Sequence, residues 1–234
     1  MRYFSTFAFV SSLALLGAGC APGNPGLVID GVIAPPTSGG CTYDPSANVF
    51  LAEGVLDTTD LGTSVLPSGV IGPRYLAYLR ASNHLINLFN GTYPLRADPN
   101  RMTLIAADVE ITNIDGSITS FGALPNPFRV AASGVVPSAA SDSPGTGIAG
   151  VELIPPQYAT ALGAVGGTVR LIVAVTLIGR TSGDAGVESN PFIFPIDVCT
   201  GCLVACTTDP MGTSIGCSPG QDAVTILPAG LPPC

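Results

Sequence analysis

The chain has 234 residues, of which 47% are hydrophobic and only 10% charged, with a formal net charge of −8. That acidity excludes the clustered cations that nucleic-acid phosphates require, and it excludes electrostatic adhesion to an anionic lipid surface. The apolar content supports a sizeable core, and the scarcity of charge leaves Ser, Thr, Asn, Gly, Pro and backbone to cover it.

Residues 1–20 come first. Arg2 supplies a positive charge, Phe7 to Leu16 form an apolar run broken only by Ser11 and Ser12, and Gly17, Ala18 and Gly19 precede Cys20. This is the layout of an export signal with a small-residue cleavage site. The run falls short of the roughly 18 apolar residues that span a bilayer. Leu16-Gly17-Ala18-Gly19-Cys20 resembles the lipobox of bacterial lipoproteins, with Gly17 where a leucine is usual and Leu16 one place early. The resemblance implies cleavage before Cys20, diacylglycerol on its thiol, and a membrane partner engaged through that lipid. Ala21 follows in place of the acidic retention signal of inner-membrane lipoproteins, which points to the outer membrane. Cleavage near Ala21, with a soluble secreted product, is the alternative.

Residues 21–48 carry Pro22, Pro25, Pro35, Pro36, Gly39 and Gly40 and read as a tether. Extended fully, Cys20 to Cys41 would reach about 70 Å; as a flexible coil it would average nearer 25 Å.

Residues 49–198 show β patterning. Asn48 to Asp57 reads as one strand. Tyr75, Ala77, Leu79 and Ala81 share a face, as do Ile105, Ala107, Val109 and Ile111, with Asp108, Glu110 and Thr112 opposite. This period of two marks half-buried strands. Val169 to Ile178 is nearly all apolar, as a central strand would be, with Val169, Leu171, Val173, Val175 and Leu177 on one face and Arg170, Ala174 and Thr176 on the other. Glu188 to Val198 returns with Phe192, Phe194 and Ile196 on one side, and Pro195 implies an edge or a bulge. Ser117 to Phe121, Phe128 to Val136 and Val151 to Ile154 are weaker β segments. Pro155-Pro156 ahead of Gln157 to Val165 predicts one short helix. The expected fold is all-β: an antiparallel β-sandwich, immunoglobulin-like by analogy, with a short helix and a cysteine-rich C-terminal extension over 199–234.

Seven cysteines are present: Cys20, Cys41, Cys199, Cys202, Cys206, Cys217 and Cys234. With Cys20 assigned to lipid, six remain, an even number suited to disulfides in an oxidising compartment. Five of them lie between Cys199 and Cys234, so complete pairing requires a bond from Cys41 into the tail. Two other readings of the cluster stay open. Cys199-Thr200-Gly201-Cys202 has the redox C-x-x-C spacing but lacks room for the helix such sites need. Cys199, Cys202, Cys206 and Cys217 have plausible zinc spacing, against which export and the even count argue.

Several motifs match on paper only. Gly145-x-Gly147-x-x-Gly150 has dinucleotide-fingerprint spacing, but no strand-turn-helix pattern surrounds it, and a loop is expected there. Gly212-x-Ser214-x-Gly216 resembles a nucleophile elbow, but the sole histidine, His84, lies upstream. Asp57 and Asp60 offer too few carboxylates for calcium and read as a solvated turn. Asp108 and Glu110 share an exposed strand face, as glycosidase carboxylates could, without an aromatic platform.

The lipobox, the exclusive use of Arg among basic residues and the tail cysteines are together similar to exported lipoproteins of high-GC, myxobacterial-type bacteria. The expected function is that of a non-catalytic envelope lipoprotein without cofactor, presenting its β domain to an envelope protein or glycan. A self-associating structural component of the envelope, and an enzyme of a type the motifs do not reveal, are the alternatives.

Overall fold

The computed structural model describes residues 26–36, 41–59, 72–87, 98–113, 121–140, 143–164, 166–208, 217–218 and 220–229. Residues 1–20 with Cys20, Asp60, Ser214 and Cys234 lie outside the described residues, as do parts of the tether and of the tail.

The described chain is mostly β: β1 Leu27–Ile33, β2 Phe50–Leu51, β3 Gly54–Asp57, β4 Tyr75–Asn83, β5 Met102–Asn113, β6 Phe128–Val136, β7 Gly145–Ile154, α1 Pro156–Gly163, β8 Val169–Thr181, β9 Gly186–Glu188, β10 Phe192–Cys199, β11 Val204–Thr207 and β12 Thr225–Pro228. A ten-stranded sheet runs in the order β2-β1-β4-β7-β6-β5-β8-β10-β3, with β9 paired to β8. β11 and β12 form a separate parallel pair.

Alternation decides which side chains enter the core. Tyr75, Ala77, Leu79 and Ala81 of β4 are fully buried, as are Leu171, Val173, Val175 and Leu177 of β8. β5 departs from simple alternation. A register shift between Leu104 and Ala106 sends Leu104 and Ala107 both inward, so Ile105 turns out, 48% exposed. In β10, Pro195 pairs with Ile172 of β8, while β3 joins the other side only from Ile196 onward. The missing N–H therefore falls where β10 has no second neighbour. All inward faces contribute to one hydrophobic cluster. α1 starts at Pro156, as expected, and buries Tyr158, Ala159 and Leu162.

Three features differ from the sequence reading. First, part of the expected tether is core: Leu27 is fully buried and pairs along β4. The Pro- and Gly-rich flanks hid a strand whose apolar residues, Leu27, Ile29, Val32 and Ile33, are shifted in phase by an irregularity at Gly31. Second, Gly145 to Gly150 belong to β7 rather than to a loop. Their glycines allow backbones to touch: a Cβ on Gly147 would stand 2.3 Å from the Val135 carbonyl oxygen. Third, Asn48 to Asp57 is two strands, and the sheet is mixed, because β3 pairs with β10 in parallel.

That third difference shapes the molecule. β2 lies at one end of the strand order and β3 at the other, yet only Ala52 and Glu53 separate them in the chain. The two ends of the sheet are thus brought together, and the sheet curls into a nearly barrel-like form. Leu27 also bridges Ser189 beyond β9, at the far end of the same seam. Arg80 stacks over Phe50 at 4.5 Å on the β2 side, and Arg170 pairs with Glu53 and Asp197 on the β3 side.

Gly54 sits at the corner, where an added Cβ would lie 2.3 Å from the Tyr75 hydroxyl oxygen. Gly54→Ala is therefore expected to lower stability by about 1–3 kcal/mol through overpacking. Gly186→Ala, whose Cβ would meet nothing within 4 Å, serves as the near-neutral comparison in the same thermal-unfolding series.

Candidate functional site

The C-terminal segment enters the seam. β1 pairs with β4 only from Leu79 onward, so Tyr75 to Tyr78 lack a strand neighbour on that side. Gly220, Gln221 and Asp222 occupy the gap. Their backbone pairs with β3: the Asp57 N–H donates to Gly220 O at 2.8 Å and the Asp222 N–H to Val55 O at 3.0 Å. Toward β4 the partner is a side chain. The Gln221 carboxamide accepts from the Leu76 N–H and donates to the Leu76 carbonyl, both at 2.8 Å, so it replaces a strand's peptide group. Asp222 completes the joint, accepting from the Val55 N–H at 2.7 Å and the Tyr75 hydroxyl at 2.8 Å. Its φ of +58° is one that aspartate tolerates better than most residues.

A disulfide fastens this segment. Cys41 is bonded to Cys217 across 176 residues, which joins the front of the domain to the tail. In the chain-entropy model a loop of that length removes about 5 kcal/mol of unfolded-state freedom. Beside the bond, Tyr43 stacks on Tyr78 with ring centroids 3.6 Å apart. Burial, with the neighbouring Tyr78 adding to it, pushes the Tyr43 hydroxyl up to about 12, so it stays neutral.

A second joint lies at the end of β10. Cys199 is bonded to Cys202. Asp57, 1% exposed, reaches into this loop. Its carboxylate accepts from the N–H of Gly201 at 2.8 Å, the N–H of Leu203 at 2.7 Å, and the N–H and hydroxyl of Thr59 at 2.9 and 2.6 Å. Burial alone would raise the Asp57 carboxyl. The hydrogen bonds from Thr59, Leu203 and Gly201 outweigh it and hold the group below the usual carboxylate range. Asp222 runs the other way, its burial outweighing the bonds it accepts and raising it. The expectation of a solvated turn at Asp57 is thus corrected: the carboxylate is a buried anchor.

These bonds bear on the alternative chemistries of the tail. Asp57 and the sulfurs of Cys199 and Cys202 lie within 4.8 Å of one another, and among the described residues they form the one such group with metal-ligand atoms. The two sulfurs bond each other and the carboxylate already accepts four donors. The four cysteines with zinc spacing are not gathered as one set in this structure: Cys217 is bonded to Cys41, Cys199 to Cys202, and Cys206 is also in a disulfide. The C-x-x-C leads into β11, not into a helix.

Other predicted residues fall apart in space. His84 lies exposed just past β4. Asp108 is engaged on the outer face by a two-pronged bond from Arg129, at 2.6 and 2.7 Å, which holds its carboxyl low, and Glu110 is exposed.

One surface cavity stands beside the seam. It measures about 290 Å³ and is bounded by the chain leaving β1, Ile33 to Pro36, and the chain returning to β2, Thr42 to Val49. Ile33, Pro35, Pro36, Tyr43, Ala47 and Val49 give it an apolar wall, and among the described residues Asp44 is its one charged residue. None of these was singled out from sequence, where Pro35 and Pro36 signalled only a tether. Compared with known proteins, the chain matches no protein-family model, no curated sequence and no solved structure.

Asp57→Ala would strand the N–H groups of Thr59, Gly201 and Leu203, and it is expected to cost roughly 2–4 kcal/mol at neutral pH. The folded Asp57 carboxyl lies below its ordinary value of 3.8, so its contribution is complete above that value and is lost as pH falls through the folded one. Asp222 has the opposite sign: its contribution is complete below 3.8 and is lost as pH rises through its raised folded value. Urea unfolding across the carboxylate range should therefore show a shallower acid loss in Asp57→Ala than in the parent, and a steeper one in Asp222→Asn.

Proposed function

We propose that this chain is a non-catalytic envelope lipoprotein, anchored through lipid on Cys20, whose disulfide-locked β domain binds a partner at the cavity beside the seam. The observation that carries the binding reading is the cavity itself, an apolar hollow framed by a loop that the Cys41–Cys217 bond and the Tyr43–Tyr78 stack hold in place. Rigid framing limits the entropy lost when a partner binds. A β framework of this kind can carry a binding loop at one edge, as immunoglobulin-like sandwiches do.

Export is consistent with the placement of Cys41 against Cys217 and of Cys199 against Cys202, since an oxidising compartment is where such pairs persist as disulfides. Among the described residues no helix is long and apolar enough to cross a membrane. Self-association through an edge strand is the less favoured reading. β2, at one end of the strand order, is only two residues long, and β3, at the other, is covered by Gly220 to Asp222, and both devices blunt an edge.

Two measurements test this reading. In fractionated cells the parent should sediment with membranes and Cys20→Ala should move to the soluble fraction; a parent already soluble would sink the lipid anchor. By analytical ultracentrifugation the released domain should stay monomeric as concentration rises, whereas progressive assembly would favour the structural alternative.

A further inference from the structure

Resting on that reading of the cavity, we propose that its occupant is a lysine or arginine side chain from a basic segment of a partner protein. Volume sets the first limit. About 290 Å³ lies at the lower edge of ligand pockets and suits one or two side chains better than a cofactor or a larger organic ligand. Chemistry sets the second. Ile33, Pro35, Pro36 and Val49 offer an apolar wall, and Val49 is 68% exposed, ready to be covered. A lysine or arginine stem lies well on such a surface while its charged head stays at the rim.

The rim supplies the complement. Asp44 is the only charged residue of the lining among the described residues. Its Oδ1 accepts from the Ser46 N–H at 2.8 Å and the Ser46 hydroxyl at 2.7 Å, which orients the carboxylate and keeps it ionised. Arg80, just behind the loop, is committed to Asp30 at 2.9 Å, to the Ala47 carbonyl at 2.9 Å and to Asn48 at 3.2 Å. The chain's net charge of −8 favours approach of a basic partner over an acidic one. A sugar is served less well, since among the described residues Thr42 and Asp44 are the only ones of the lining with hydrogen-bonding side chains apart from the Tyr43 hydroxyl.

The test is an NMR titration of the ¹⁵N-labelled chain with Nα-acetyl-lysine methylamide, the matching arginine, norleucine and glutamate compounds, and N-acetylglucosamine. Lysine and arginine probes should give saturable shifts at the amides of Thr42, Asp44, Ala47 and Val49. Norleucine should bind up to about fivefold more weakly, the range an exposed ion pair supplies. Asp44→Asn, which keeps the oxygen that Ser46 bonds, should reduce lysine to the norleucine level. Equal binding of lysine and norleucine would overturn the cationic occupant while leaving the cavity as a binding site. Saturation by N-acetylglucosamine or by the glutamate probe would overturn it in favour of those ligands. Shifts that never saturate with any probe would overturn both this inference and the cavity reading.

Discussion

Gly220, Gln221 and Asp222 sit between two strands that do not reach each other, and the rest of the fold depends on that placement. β3 is the last strand of the sheet and β4 lacks a neighbour over Tyr75 to Tyr78. Without the tail, the N–H groups of Val55, Asp57 and Leu76 would face a gap in the barrel wall. Buried backbone donors without partners cost about 1–3 kcal/mol each. The tail meets all three, two with backbone and carboxylate from its own strand-like stretch and one with a side-chain amide. A region that reads as an extension is therefore part of the wall.

The covalent bonds make sense around this joint. A three-residue insertion has little area with which to hold itself in place. Cys41–Cys217 keeps it close, and the same bond stiffens the loop that frames the cavity. At the other end of β3, Asp57 ties the Cys199–Cys202 loop down, and Leu203 then receives the N–H of Thr225 to start the β11–β12 pair. Two buried aspartates thus hold the tail from its two sides with opposite pH signs, Asp57 lowered by its hydrogen bonds and Asp222 raised by burial.

Much of the strand content is legible in the sequence because alternation is a local signal: Tyr75, Ala77, Leu79 and Ala81 declare their face without knowledge of any neighbour. The cysteine count is legible in the same sense, since parity alone sends Cys41 into the tail. What stays hidden is non-local. The break at Ala52 and Glu53 leaves no clear mark, because Val49 to Ala52 and Val55-Leu56 read as one apolar segment. β1 is masked by the prolines and glycines around it, and β7 by glycines that close packing demands. Gln221 carries no periodic signature at all: a carboxamide acting as a peptide group is visible only once Leu76 is opposite it. The cavity is made by two stretches, 33–36 and 42–49, that the antiparallel pairing of β1 with β2 sets side by side, and their prolines give no sign of it.

Amide hydrogen exchange reads the joint directly. In the parent chain the N–H groups of Val55, Asp57 and Leu76 should be protected together, and a Gln221→Ala, Asp222→Ala variant should lose protection at all three while the amides of β8 keep theirs. Unchanged protection at Val55, Asp57 and Leu76 in that variant would contradict the account, since it would mean that the barrel wall closes without its C-terminal segment.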